Sequence, residues 1–128
     1  MTYTVDSTEA LRRLKDAVDL KGEDYVYLHD NGTSIREAPA VSCVNKYRDG
    51  SPACIVGHVL VALADGGYFT RDQIPDGGSV ALAAENLPVK FTEDALLVLG
   101  RAQSRQDTGR TWGEAYAAAQ EAVAVWPA

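Results

Sequence analysis

Apolar residues recur along the chain in blocks whose period changes from segment to segment. Leu11, Leu14 and Val18, with Ala10 and Ala17 beside them, fall on one face of a helix predicted over about residues 7–20. Asp6 and Glu9 have capping-box spacing ahead of it, with Asp in place of Ser or Thr, and Lys21-Gly22 closes it. Tyr25-Val26-Tyr27-Leu28 is a run of aromatic and branched residues that predicts a strand over residues 25–28. Asp30-Asn31-Gly32 is a turn signal, and the segment through Pro39 reads as loop. A second strand is predicted over residues 42–47, within the run Val41 to Tyr47.

Arg48-Asp49-Gly50-Ser51-Pro52 then turns the chain into a helix predicted from Pro52 to about Ala64, with Ser51 as N-cap and Pro52 in the first helical position. Ile55, Val56, Val59, Leu60 and Leu63 make this helix apolar almost all round, the pattern of a central, buried element. Asp65-Gly66-Gly67 stops it. Thr70 to Gln73 predicts one capped turn, and Ser79 caps a short helix through Ala84 or Glu85. Thr92 caps the next helix, with Phe91 as a hydrophobic staple and Leu96 and Leu99 as core residues; it fades near Gln106. Thr111 and Glu114 form a capping box for the last helix, whose Trp112, Tyr116, Ala119, Val123 and Trp126 make one seam. The expectation is a single α+β domain over residues 1–128. It is mainly helical, with a two-stranded antiparallel sheet packed on the central helix, and the first and last helices flank that helix.

The 128 residues fit one domain and allow a core without disulfides or metal. The net charge of −6 and the absence of a Lys/Arg stripe argue against nucleic-acid binding. No apolar run approaches a membrane span, and the N-terminus lacks the basic and apolar regions of a signal peptide, so the cytoplasm is the expected compartment. Two cysteines in a reducing compartment are expected as thiols, although a Cys43–Cys54 bridge is geometrically conceivable.

Cys54 and His58 are the sharpest chemical pair. A thiol in the first turn of a helix, with an imidazole four residues on, has the makings of a nucleophile and base. Asp65 continues the stripe, but seven helical residues span about 10 Å, too far to orient His58. The blander reading makes Cys54 a small buried hydrophobe and His58 a hydrogen-bonded residue at the core edge. A metal site would draw on Cys43, Cys54 and His58, with His29 as a fourth ligand. The cysteines stand eleven apart without a second tight pair, so no metal or other cofactor is expected. The segment from Gln103 to Gly113 gathers polar side chains at a turn. Asp107, Gly109 and Thr111 read as turn and cap residues, whereas Gln103, Arg105 and Arg110 are candidate contacts for a partner.

Three segments together carry a resemblance: Tyr25-Val26-Tyr27; Cys43 through Pro52-Ala53-Cys54-Ile55-Val56-Gly57-His58-Val59-Leu60; and Ala102-Gln103 with Gln106-Asp107, Gly109, Thr111-Trp112-Gly113 and Ala115. From about residue 23 to 122 the chain resembles a group of small uncharacterised proteins of actinobacterial bacteriophages. The resemblance implies a phage accessory protein in the host cytoplasm that binds a host protein, and it transfers no catalytic residue. Homodimerisation is left open. The rival reading is a small thiol-dependent enzyme using Cys54 and His58; a virion component is a third, without the repeats or edge patterns of an assembling subunit.

Overall fold

The computed structural model describes residues 3–27, 44–47 and 49–125. Asp6 begins the first helix, α1 (Ser7–Lys21), by accepting the Glu9 N–H at 2.9 Å, and Gly22 ends it at φ 101°. Glu9 does not complete the capping box. Its carboxylate instead takes the Tyr3 hydroxyl and the Arg13 guanidinium. Four further α-helices follow among the described residues: α2 (Ile55–Asp65), α3 (Val80–Asn86), α4 (Glu93–Asp107) and α5 (Trp112–Ala124). A 3-10 turn, Arg71–Gln73, lies between α2 and α3. Ser79, Thr92 and Thr111 cap the last three helices as their spacing predicts, and Glu114 completes the box of α5.

The sheet corrects the sequence reading. It is parallel, not antiparallel, and pairs β1 (Thr4–Val5) with β2 (Lys90–Phe91) in the register Thr4 to Lys90 and Val5 to Phe91. Neither strand is one the pattern predicts, since two residues are too few for a periodicity. The described parts of the expected strands have other backbone partners, and meet each other where the Val44 N–H donates to the Tyr27 hydroxyl at 3.3 Å. The carbonyls of Glu23 and Tyr25 accept the Gly113 and Trp112 N–H groups at 2.9 and 2.8 Å, so this backbone serves the start of α5. Residues 44–47 turn straight back onto residues 51–54, with Tyr47 N–H to Ser51 O at 2.8 Å and Cys54 N–H to Val44 O at 3.0 Å. A local turn of this kind closes a short loop, which costs less entropy than pairing with residues 25–28. Residue 28, residues 41–43 and the turn and loop expected between them lie outside the described residues.

Helix α2 is the centre of the core. Every residue from Ile55 to Val61 is buried, and so is Leu63. It packs chiefly on α1 and α4, whereas α5 packs mainly on α4 and α1. The last helix reaches α2 through Trp112, whose ring stands edge-on to His58 with centroids 5.2 Å apart. The expectation that the first and last helices flank α2 is thus corrected: α4 takes the place of α5. The reason lies in α5 itself, whose buried stripe is Trp112, Ala115, Ala119 and Ala122. Small alanines let it lie close against α4, and Tyr116 and Val123 sit only at the core margin. Trp126, the last member of the expected seam, lies outside the described residues. No helix among the described residues is long and apolar enough to cross a membrane.

Leu60 is 1% exposed on the inner face of α2. Leu60→Ala should therefore cost about 2–5 kcal/mol, through lost burial and the cavity left behind. Urea unfolding of the two proteins measures it, and a loss below about 0.5 kcal/mol would place Leu60 at the surface.

Candidate functional site

The candidate chemistry gathers at the amino end of α2. Ser51 and Pro52 do not start this helix. Ser51 donates its N–H and hydroxyl to Asp49 Oδ1 at 3.0 and 2.6 Å, closing a side-chain turn, and Pro52 bridges to Lys46. Cys54 is the N-cap. Its backbone is extended and its Sγ accepts the Gly57 N–H at 3.3 Å, the role a Ser oxygen usually fills. The thiol lies 3.5 Å from Asn45 Oδ1 and donates toward it. Asn45 is fixed in turn, because its Nδ2 donates to Pro75 O at 3.0 Å and its N–H to Asp76 O at 2.7 Å.

Another orphan donor of α2 is met from α4. The Ile55 N–H donates to Gln106 Oε1 at 2.7 Å, while Gln106 Nε2 donates to Asp107 Oδ1 at 3.1 Å. Gln106 is 1% exposed, so its amide is a core component. Gly57 lets these parts meet. A Cβ there would lie 1.9 Å from the Asn45 carbonyl oxygen, so no other residue fits without moving the backbone.

His58 is also buried, but among the described residues its Nε2 has no hydrogen-bond partner, and neither does Trp112 Nε1. The hydrogen-bonded core-edge histidine of the sequence reading is therefore a packed ring. Burial, with a lesser contribution from the charge of Lys21, pushes its pKa down to about 4, so the imidazole is neutral near pH 7. Nε2 makes no hydrogen bond to the Cys54 sulfur. Asp65 stands at the other end of α2, bound to Arg71 through Nε at 3.0 Å and Nη2 at 2.8 Å. That guanidinium holds the Asp65 carboxyl below its ordinary value. Among the described residues, then, Cys54, His58 and Asp65 lie along one helix and its cap without forming a relay. His29 and Cys43 lie outside the described residues, so neither the four-ligand metal set nor the conceivable disulfide can be placed. Among the described residues no group of three metal-ligating side chains converges.

The three contact candidates separate. Gln103 is 8% exposed, and its Nε2 donates to Gly78 O at 3.0 Å, tying α4 to the turn before α3. Arg110 is exposed and lies 3.6 Å from Glu114. Arg105 is exposed on α4 and lines a groove of about 370 Å³ between α4 and α5. Leu97 and Arg101 share its wall, and Ala118, Glu121 and Ala122 face them from α5. Val125 also lines it. Sequence reasoning missed Arg101, whose position one helical turn before Arg105 was the available signal. It also missed Asn45, and it read Gln106 only as a helix end; nothing in a single sequence marks an amide that caps a distant helix. No known protein family, curated protein or solved structure matches the chain.

The buried imidazole gives the stability a definite pH profile. In the unfolded chain His58 titrates near 6.5, and in the folded protein near 4. Its contribution is fully present above pH 6.5, declines as the pH falls and levels off below about 4. Between about pH 7.5 and about pH 5 the loss should be about 2 kcal/mol. Urea midpoints at the two pH values measure it, with His58→Gln as reference. A profile equally steep in that variant would assign the titration to another group.

Proposed function

We propose that the chain is a bacteriophage-encoded accessory protein that acts in the host cytoplasm by binding a host protein. The phage assignment rests on the resemblance of the segments around Cys54 and Gln106. The binding role rests chiefly on one observation: the polar groups of the two motif segments are divided between a buried framework and an exposed hairpin end. Cys54, Asn45, Gln103 and Gln106 hold helices together from inside. Arg105 and Arg110 stand outside, at either end of the turn joining α4 to α5.

That turn is held in one shape. Thr108 Oγ1 donates to Arg105 O at 2.9 Å, the Gly109 N–H to Gln106 O at 3.0 Å and the Arg110 N–H to Arg105 O at 3.2 Å. Gly109 supplies the φ of 88° that this closure requires. A turn already fixed spares the backbone ordering that contact would otherwise cost, which favours recognition. The thiol enzyme is the rival reading, because a sulfur that accepts a helix N–H is favoured as thiolate.

One experiment separates the two. Immobilised protein should capture a host protein from lysate saturably, and Cys54→Ser should capture it equally well, since a serine oxygen fills the same cap. Absence of any captured protein would overturn the binding role. Loss of the biological effect in a folded Cys54→Ser variant would favour the enzyme.

A further inference from the structure

Two arginines in the groove between α4 and α5 differ from the other described arginines. Arg12, Arg13, Arg71 and Arg110 each lie against a carboxylate, at 3.8, 2.9, 2.8 and 3.6 Å. Arg101 and Arg105 lie against none among the described residues, although the whole chain carries a charge of −6. They stand four residues apart on α4, so their side chains follow one another at about 6 Å along the helix, a little over one turn. Both line the same groove. Its remaining surface includes Leu97 and Ala118, with the buried Ala122 and the 64%-exposed Val125. Glu121 is the one charged group facing them from α5, and it pairs with neither arginine among the described residues.

We infer that this groove is the site where the partner docks, and that the docked segment is an acidic amphipathic helix. The inference rests on the binding role proposed above and specifies its chemistry. Carboxylates four residues apart on a helix repeat at the same pitch as Arg101 and Arg105, so an aligned helix meets both guanidiniums at once. Its apolar residues then cover the part-exposed Leu97 and the exposed Val125, which water otherwise wets. From Leu97 to Arg105 the wall spans eight residues of α4, about 12 Å, enough for roughly two turns of a ligand helix. Glu121 repels a carboxylate on the α5 side and so fixes which edge of the ligand faces α4. A basic or uncharged helix gains nothing from the two free guanidiniums.

The test is an amide-resolved NMR titration with a synthetic helical peptide of about three turns, carrying glutamates four residues apart beside a leucine stripe. Resonances of Leu97, Ala118, Ala122 and Val125 should shift, with binding that weakens as salt is added. The glutamine-for-glutamate peptide should bind at least about tenfold more weakly, as should the acidic peptide to Arg101→Gln/Arg105→Gln. Equal binding of the two peptides to the parent protein, or shifts located elsewhere, would overturn the inference without any variant having to fold. A self-associating parent whose dimer is dissolved by the double substitution would assign the groove to a second copy and overturn it too. If the folded double variant still captures the host protein as the parent does, the groove is excluded and the binding role stands. If the parent captures no host protein, the binding role fails, whatever the peptide does.

Discussion

A helix buried on all sides cannot leave its first N–H groups to water. This constraint organises the molecule, because α2 carries apolar side chains almost all round and sits at the centre of the core. An unpaired buried donor costs about 1–3 kcal/mol, so the amino end of α2 needs acceptors supplied by other parts of the chain. Cys54 supplies one from the cap itself, and Gln106 supplies another across the core from α4. Asn45 binds the thiol and the loop at Pro75 and Asp76, and Gly57 allows the Asn45 backbone to come close. The interlocking explains why the chemically suggestive residues sit together: they meet the needs of one helix end.

The same arrangement governs what these side chains can do. A neutral, edge-packed His58 is a poor partner for Cys54, and Trp112 beside it links α5 to α2. A further contact between the amino half of the fold and α5 is backbone: the carbonyls at Glu23 and Tyr25 receive the first donors of α5. Gly113 belongs to this junction, since a Cβ there would meet Glu23 O at 3.0 Å. Residues that read as a functional cluster thus form a chain of packing and capping contacts from residues 44–47 through α2 and α4 to α5. The exposed Arg105 and Arg110 of the α4–α5 hairpin take no part in this chain of contacts.

Helices were legible where caps and periodicity agree. Asp6, Ser79, Thr92 and Thr111 each mark a helix start, and the all-round apolarity of residues 55–63 marks the buried helix. The start of α2 was misread because Ser51-Pro52 is a good local signal. Asp49 draws Ser51 into a turn instead, and cysteine is not an expected cap. The sheet was illegible for a different reason. Strands of two residues have no period, and their parallel pairing depends on where α1 and α4 come to rest. Within the candidate site, the exposure of Arg105 and Arg110 could be read from the turn, but the burial of Gln103 could not. A glutamine on a helix is polar by default, and only the tertiary fold presents it with the Gly78 carbonyl.

The dependence of α2 on Gln106 is the claim most directly open to measurement. Gln106→Met keeps the length of the side chain but removes the acceptor that meets the Ile55 N–H. The variant should lose about 1–3 kcal/mol in urea unfolding, and the Ile55 amide should exchange with solvent faster in the native state. A loss below about 0.5 kcal/mol, with the Ile55 amide as protected as before, would contradict the view that a buried helix end supplied from α4 holds this fold together.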